Sequence, residues 1–174
     1  TEALITARNG DISFGSVAVA LTLNVIAHWL YVYDGAVAAN ADRLKLYLNG
    51  TLQTLTFSGT VPASIGAHAS PMTYALRNDN GTFQACTIAE VGIWAGVAIA
   101  DATVIANLAD GFSPIFYDHL GLTFYDPCFT TNEDLRGAGN PTIAGTSVVS
   151  HPTNIKRPRR QANAIGRWVG SRLR

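Results

Sequence analysis

The stretch from residue 28 to residue 55, HWLYVYDGAVAANADRLKLYLNGTLQTL, constrains the fold most, because it holds two strand patterns, a polar loop and a tight turn. In WLYVY (29–33), aromatic and aliphatic residues alternate, so both faces are apolar and we expect a central strand buried between two layers. LKLYLN (44–49) has the period of a strand with one face on the core and the other partly wet. These patterns predict an antiparallel meander.

The pair Asn49-Gly50 directly follows the second strand pattern. Asn-Gly best tolerates the positive φ angles of a two-residue hairpin turn. Leu52, Leu55 and Phe57 then resume an apolar pattern. We therefore expect a hairpin with its turn at Asn49-Gly50 and a returning strand after it.

Several motifs follow one another in an order that resembles one superfamily: HWLYVYDG, LKLYLNGTL, Ile65-Gly66, TIAEVGIW (87–94) and then a short helix pattern. This order, over residues 4–111, resembles the laminin-G-like domains of the concanavalin A-like lectin and glucanase superfamily. The resemblance implies an all-β, concanavalin-like jelly-roll β-sandwich of antiparallel strands with one short helix. An extended basic C-terminal tail is expected from the charge distribution described below. It says little about function, because sandwiches of this kind host many functions.

Composition agrees with a β protein. The 174 residues suit one domain, with or without appendages, and 14% charged residues with 16 glycines favour a turn-rich β fold. The sequence contains no run of about 18 apolar residues, so no transmembrane helix is predicted. The chain starts at Thr1 without a leader pattern, which favours a processed product or a fragment.

The remaining pattern of residues 1–111 is mostly strand-like. Short strands are expected at 4–6 and 12–14 around a turn at 9–11, and the alternation over Val17–Val25 predicts a longer strand. A turn cluster at 78–81 precedes an expected strand over Phe83–Trp94.

One helix is predicted near the end of this part. Asp101 is expected to cap a helix from Ala102 to Ala109, with Ile105 and Leu108 facing inward. Gly111 would end it, since glycine readily adopts the backbone that follows a helix.

Residues 112–152 resemble the opening strands of a laminin-G-like unit, with GLTFYDPCF, DLRG and TIAGT in that order. They are expected to supply displaced front strands to a sandwich over residues 1–152, either in the same chain or with a neighbouring chain. The alternative is a truncated second unit. The ending, GFSPIFYDHLGLTFYDP through DLRG to VVSHP, also looks like proteins encoded in tailed-phage structural gene clusters.

The formal charge of zero is divided unevenly. Residues 1–155 hold all 12 acidic and five of the 12 basic residues, for a charge of −7, and residues 156–174 carry +7. Such a split marks a separate interacting segment. An acidic body also argues against nucleic-acid binding by the sandwich, because phosphates require a basic face.

Residues 153–174 form the predicted basic arm. Pro158 and the cluster KRPRR favour an extended linker, and Ile165, Trp168 and Val169 then follow helical spacing. One hypothesis is a docking arm that binds other virion proteins or other copies of the chain in a homo-oligomer; the alternative is a frayed, solvated tail. The expected partner-binding residues are Arg157, Arg159, Arg160, Arg167, Trp168 and Arg172.

No catalytic residue is expected. Glycosidases of the resembled superfamily use paired carboxylates in an E-x-D-x-x-E pattern, but the only glutamates are Glu2, Glu90 and Glu133, without that pattern. Glu90 stands where the resembled family has a structural glutamate. A G-x-S-x-G elbow is absent too. We therefore expect a non-enzymatic protein.

No cofactor or metal site is assigned. Calcium binding in some laminin-G-like domains makes Asp34, Asp42 and Asp79 candidate ligands, but no array with defined spacing accompanies them. The four histidines lack the spacing of zinc ligands; they are His28, His68, His119 and His151.

Two cysteines and several aromatic residues leave alternatives open. Cys86 and Cys128 could form a disulfide, but assembly in the cytosol favours free thiols.

Aromatic faces on a concave sheet could bind sugars, although strand alternation puts most of these rings in the core; they are Trp29, Tyr31, Tyr33, Tyr47 and Trp94.

The sequence thus favours a non-enzymatic bacteriophage virion protein, such as a capsid decoration, head-fibre or tail-associated protein, located in the virion and without membrane contact. The alternative is an extracellular carbohydrate-binding module whose partners are glycans.

Overall fold

The computed structural model describes residues 2–9, 11–22, 25–66, 76–77, 82–83, 87–128, 135–136, 152 and 155–157. These ranges consist mostly of strands in antiparallel sheets, with few short helices. The expectation of an all-β chain is therefore confirmed at that level. The chain divides into two compact units, of which unit 1 comprises Thr1–Cys86 with Gly96–Asp110, and unit 2 comprises Thr87–Ala95 with Gly111–Arg174.

The helices and strands of the described ranges follow each other in one order. They are β1 (Glu2–Asn9), β2 (Asp11–Ala18), β3 (Trp29–Tyr33), α1 (Asn40–Arg43), β4 (Leu44–Leu48), β5 (Thr51–Leu52), β6 (Thr56–Ser58), β7 (Leu76–Arg77), β8 (Thr82–Phe83), β9 (Val91–Trp94), α2 (Ala102–Ala109), a 3-10 segment (Pro114–Leu120) and β10 (Leu122–Asp126).

Unit 1 is built on three antiparallel sheets. Strands β1 and β2 form a hairpin, and β6 extends it in the order β1-β2-β6. Strands β3, β4 and β5 form the predicted meander, in which Tyr31 lies opposite Leu46. Strands β7 and β8 form a two-stranded hairpin.

The first two sheets share one apolar core. Leu44 and Leu46 of β4 are buried with Val61, and Val17 of β2 and Phe57 of β6 pack against them. On the other face of the meander, Leu30 and Val32 of β3 are buried as well. Apolar side chains lie on both faces of β3, as the sequence predicts. The expected central position is wrong, because β3 is an edge strand in the order β3-β4-β5 of the described sheet and Tyr31 is 55% exposed.

The turn at Asn49-Gly50 is confirmed. Asn49 has φ 48° and Gly50 has φ 77°, as a two-residue hairpin turn requires, and Leu48 pairs with Thr51 across it. The returning strand is shorter than expected. Strand β5 ends at Leu52, and the chain then crosses to β6, so that the expected continuous strand is divided between two sheets.

Helix α2 is confirmed with its predicted bounds. Asp101 caps it, because its Oδ1 accepts hydrogen bonds from the backbone N–H groups of Thr103 at 2.7 Å and Val104 at 3.2 Å. Ile105 and Leu108 are buried as expected.

Two expected strands are wrong over part of their length. The strand expected to reach Val25 ends at Ala18, and Val25 is 63% exposed. Residues 19–22 have the expected alternation but are not part of any strand, because a strand also needs a partner to pair with. In the strand expected over 83–94, Thr87–Glu90 is not extended into the sheet, because Glu90 has a left-handed φ of 59°.

Unit 2 centres on the antiparallel pair β9–β10. Tyr125 of β10 lies opposite Gly92 of β9, and a side chain at Gly92 would place its Cβ 2.7 Å from the Pro114 Cβ. The 3-10 segment therefore packs closely on this strand. Strand β10, from the segment expected to supply displaced strands, thus pairs with a strand from the preceding part of the chain.

Candidate functional site: the buried Glu90 network

Glu90 is a buried carboxylate at the start of β9. Its side chain is only 8% exposed, and its positive φ turns the backbone immediately before Val91. A non-glycine residue with such a φ is strained by about 1–3 kcal/mol, and the surrounding structure must hold it in place.

Two hydroxyl groups form a chain of hydrogen bonds that ends at this carboxylate. The Tyr125 hydroxyl donates to Glu90 Oε2 at 2.9 Å and lies 2.8 Å from the Ser113 hydroxyl. Tyr125 and Ser113 are fully buried. Burial raises the pKa of the Tyr125 hydroxyl, which keeps it protonated as a donor.

The third partner is Arg157, from the basic end of the chain. Its Nη2 forms an ion pair with Glu90 Oε1, and its side chain is 22% exposed. We call Glu90, Ser113, Tyr125 and Arg157 the Glu90 network. The charge of the carboxylate is thereby compensated inside the protein, as a buried charge requires.

The backbone next to Arg157 is also fixed. Lys156 donates its N–H to the Gly111 carbonyl at 2.7 Å, and Ser113 donates to the Lys156 carbonyl at 2.9 Å, so that Phe112 and Lys156 form a parallel bridge. The Lys156 ammonium lies 4.6 Å from the centroid of the Phe112 ring, a cation–π distance. Lys156 and Arg157 are therefore fixed within unit 2, Lys156 by its backbone and ammonium group and Arg157 by its side chain.

This result corrects the expected linker at its first residues. Lys156 and Arg157, assigned by sequence to an extended, partner-binding segment, are packed against the same chain. Charge clustering favoured solvent, but the buried Glu90 provides a specific partner for Arg157. The other predicted partner-binding residues lie outside the described ranges; they are Arg159, Arg160, Arg167, Trp168 and Arg172.

A second buried carboxylate in unit 2, Asp126, has its own partner. Its Oδ1 accepts the backbone N–H of Cys128 at 2.7 Å, and Cys128 has a left-handed φ of 54°. Cys128 is a free thiol, as expected, and burial followed by the charge of Asp126 raises its pKa to about 12. Such a thiol is inert at neutral pH. Cys86 lies outside the described residues.

Among the aromatic candidates for sugar binding, Tyr31 is distinct. It is 55% exposed, whereas Trp29, Tyr33, Tyr47 and Trp94 are half-buried, in line with the expectation that most of these rings serve the core. The Trp29 and Tyr31 rings are nearly parallel, with 6° between their planes and 6.4 Å between centroids. They present two rings in similar orientation on one strand.

The predicted calcium candidates do not converge in the described part of the chain. Asp34 accepts the Ala36 N–H at 3.0 Å in a turn, Asp42 is exposed on α1, and Asp79 lies outside the described ranges. Nowhere in those ranges do three His, Cys, Asp or Glu side chains gather as a metal site requires.

Of the histidines, His28 is half-buried and His119 is exposed, while His68 and His151 lie outside the described ranges. Burial lowers the pKa of His28. No helix in the described part is long and apolar enough to cross a membrane.

Sequence reasoning found Glu90 but missed its partners. Ser113, Tyr125 and Arg157 lie 23, 35 and 67 positions after it; Tyr125 and Arg157 contact the carboxylate itself, and Ser113 contacts Tyr125. The available signal was the charge of Glu90 in the otherwise apolar stretch TIAEVGIW. A charge in such a stretch predicts a buried partner of opposite sign, without identifying it.

Comparisons with known proteins assign no family to the chain. No family model matches the chain, and no curated protein or solved structure shows significant similarity to it.

Proposed function

We propose that the chain is a non-enzymatic structural protein of a bacteriophage virion, displayed on the capsid, a head fibre or the tail. In this proposal a concanavalin-like jelly-roll sandwich forms the body and the basic segment after Arg157 is a docking arm. The resemblance of residues 111–152 to phage structural proteins supports the virion setting. The observation that carries the docking arm is the attachment of Lys156 and Arg157 to Phe112 and Glu90 of unit 2.

This attachment gives the arm a defined starting point. A segment that leaves from a fixed position loses less freedom on binding than one that leaves from a mobile tail, so less of the binding free energy is lost to ordering. Five of the seven positive charges of residues 156–174 lie after Arg157, since Arg157 is paired with Glu90 and Lys156 lies over the Phe112 ring. They complement the negative charge of residues 1–155 in another copy, or an acidic surface on another virion protein.

The Glu90 network supports a structural role better than catalysis. Its carboxylate is compensated by Arg157 and bound by Tyr125, whereas glycosidic acid–base catalysis needs a second carboxyl group facing the substrate. A shallow depression of 360 Å³ lies beside the Asn49-Gly50 turn in unit 1.

The test is incorporation into phage particles. A chain ending at Arg157 keeps the Glu90 network and loses the rest of the arm, so it should fold with wild-type stability and be absent from purified particles. The matched control carries Arg159→Lys and Arg160→Lys in the full chain, which retains the charge, and it should be incorporated normally. Wild-type occupancy of the chain ending at Arg157, measured by quantitative mass spectrometry, would contradict the docking arm.

A separate result tests the virion setting itself. An antibody against the folded body should label purified particles by immunogold electron microscopy. Particles that carry no label, from cells that produce the chain, would contradict the proposed function whatever the arm does.

The second candidate function is carbohydrate binding, which the Trp29–Tyr31 ring pair favours. Exposed aromatic faces stack on sugar rings, and Tyr31 is exposed enough to do so. On a glycan array, Tyr31→Ala should abolish any saturable binding, while Leu52→Ala, a matched exposed site on β5, should leave it unchanged. Absence of saturable binding by the wild-type chain up to millimolar glycan would exclude this candidate.

A further inference from the structure

Strand β3 forms the outer edge of its sheet, whose order is β3-β4-β5. The hydrogen bonds at the two ends of the β3–β4 ladder join Asn49 N–H to the His28 carbonyl at 2.9 Å and Asp34 N–H to the Arg43 carbonyl at 2.8 Å. In an antiparallel strand the backbone groups of successive residues point to opposite sides. Even-numbered residues of β3 therefore bond to β4, and odd-numbered residues direct their backbone groups outward.

The outward groups belong to Trp29, Tyr31 and Tyr33. No described residue bonds to their backbone N–H or carbonyl groups on that side. An open edge of this length is a template for the addition of another strand. It also lacks the lysine, proline or bulge with which proteins usually protect an edge.

The sequence of this edge is complementary to itself. HWLYVYD (28–34) is nearly symmetric about Tyr31. If two copies pair antiparallel about that residue, Tyr31 lies opposite Tyr31 of the second copy, Trp29 opposite Tyr33, and Leu30 opposite Val32. Aromatic–aromatic and aliphatic cross-strand pairs are among those that stabilise antiparallel sheets.

The ends of the edge are complementary in the same register. His28 of one copy lies opposite Asp34 of the other, so that an imidazole meets a carboxylate at both ends. The His28 side chain is half-buried in the described structure. The second copy would bring the Asp34 carboxylate towards that imidazole, which an unrelated extended peptide would do only by chance.

We propose that β3 is a strand-addition site at which two copies of this chain pair antiparallel along Trp29–Tyr33, with Tyr31 on the twofold axis. The two three-stranded sheets then form one continuous six-stranded sheet. Such an interface is closed, because each copy presents the same strand to the other. The site uses the backbone edge of unit 1, and it does not depend on the arm or on the virion setting.

Sedimentation velocity from micromolar to millimolar concentration tests this dimer. The wild-type chain should dimerise, and Tyr31→Lys should weaken the dimer at least tenfold, because it places two like charges opposite each other on the axis. Leu52→Lys is the matched control: it introduces the same charge at an equally exposed site on β5 and should leave the dimer unchanged. A wild-type monomer throughout the range, or equal effects of the two variants, would overturn the proposal.

Cross-linking provides a test that does not depend on how well Tyr31→Lys folds. Directly opposed, hydrogen-bonded residues of an antiparallel pair have Cα atoms about 5.5 Å apart, within the range of a disulfide. On air oxidation, Tyr31→Cys should give a disulfide-linked dimer joined through residue 31, identified by peptide mapping. Leu52→Cys should form no more covalent dimer than the wild-type chain. Equal cross-linking at the two positions would overturn the proposed register.

Discussion

A carboxylate that is removed from water needs other groups to replace its lost hydration. Glu90 has two such groups, since Tyr125 donates to one oxygen and Arg157 is paired with the other. Ser113 in turn contacts the Tyr125 hydroxyl, so that the buried polar groups support one another. The energetic importance of the network lies in the cost of breaking it, because any lost member takes a partner away from a buried charge or polar group.

Removal of one hydroxyl tests this view of the network. Tyr125→Phe should lower the free energy of unfolding by about 1–3 kcal/mol, because it takes a donor away from a buried carboxylate. The matched control is Tyr117→Phe, whose hydroxyl makes none of the described hydrogen bonds, and it should change stability by less than about 0.5 kcal/mol. Urea unfolding followed by tryptophan fluorescence measures both. Equal effects of the two variants would show that the Tyr125 hydroxyl has no special role.

Cys128 gives a prediction that depends on pH. Burial raises the pKa of its thiol from 9.0 to about 12. Between these values the unfolded chain loses the thiol proton and the folded chain keeps it, so the contribution of Cys128 to stability is full below about pH 9 and is lost as the pH rises to about 12. Cys128→Ala should reduce the fall of stability with pH over this interval. An unchanged slope of unfolding free energy against pH would contradict the assignment.

At the scale of elements, the sequence predicted what depends on local chemistry. The turn at Asn49-Gly50 and the capped helix α2 have the expected positions, because positive-φ tolerance and N-cap hydrogen bonds involve neighbours in sequence. Strand patterns were less reliable. Residues 19–22 have strand alternation but belong to no strand, and the backbone of Glu90 interrupts another expected strand. A strand needs a partner, which its own pattern does not specify.

The hairpin can be tested by comparing two glycines with the same backbone conformation. Gly50 and Gly96 have φ of 77° and 79°, but a Cβ at Gly50 would lie 3.1 Å from the Ala109 Cβ, whereas a Cβ at Gly96 would meet nothing within 4 Å. Gly96→Ala should cost about 1 kcal/mol from backbone strain alone. Gly50→Ala should cost more, and Gly50→Val more again. Thermal unfolding that ranks Gly96→Ala as the most harmful would contradict this account of the turn.

At the scale of the whole molecule, distant parts of the chain meet in unit 2. Strand β9 pairs with β10, and Arg157 reaches Glu90 across 67 positions. Charge distribution placed Arg157 in a separate arm with residues that face a partner, whereas its side chain is paired with Glu90 of the same chain. The physical cause is that a cluster of charged residues predicts solvent exposure only on average. A single buried carboxylate can still bind one particular arginine of that cluster.

The most direct test of the account is the unfolding free energy of Arg157→Ala compared with Arg159→Ala in the full chain. Loss of Arg157 leaves Glu90 buried without its cation and should cost about 2 kcal/mol or more, below the range for a fully buried pair because Arg157 is 22% exposed. Arg159→Ala removes an equal charge beyond the anchored residues and should change stability by less than about 0.5 kcal/mol. Equal stability of the two variants would contradict the anchoring of the arm by the Glu90 network.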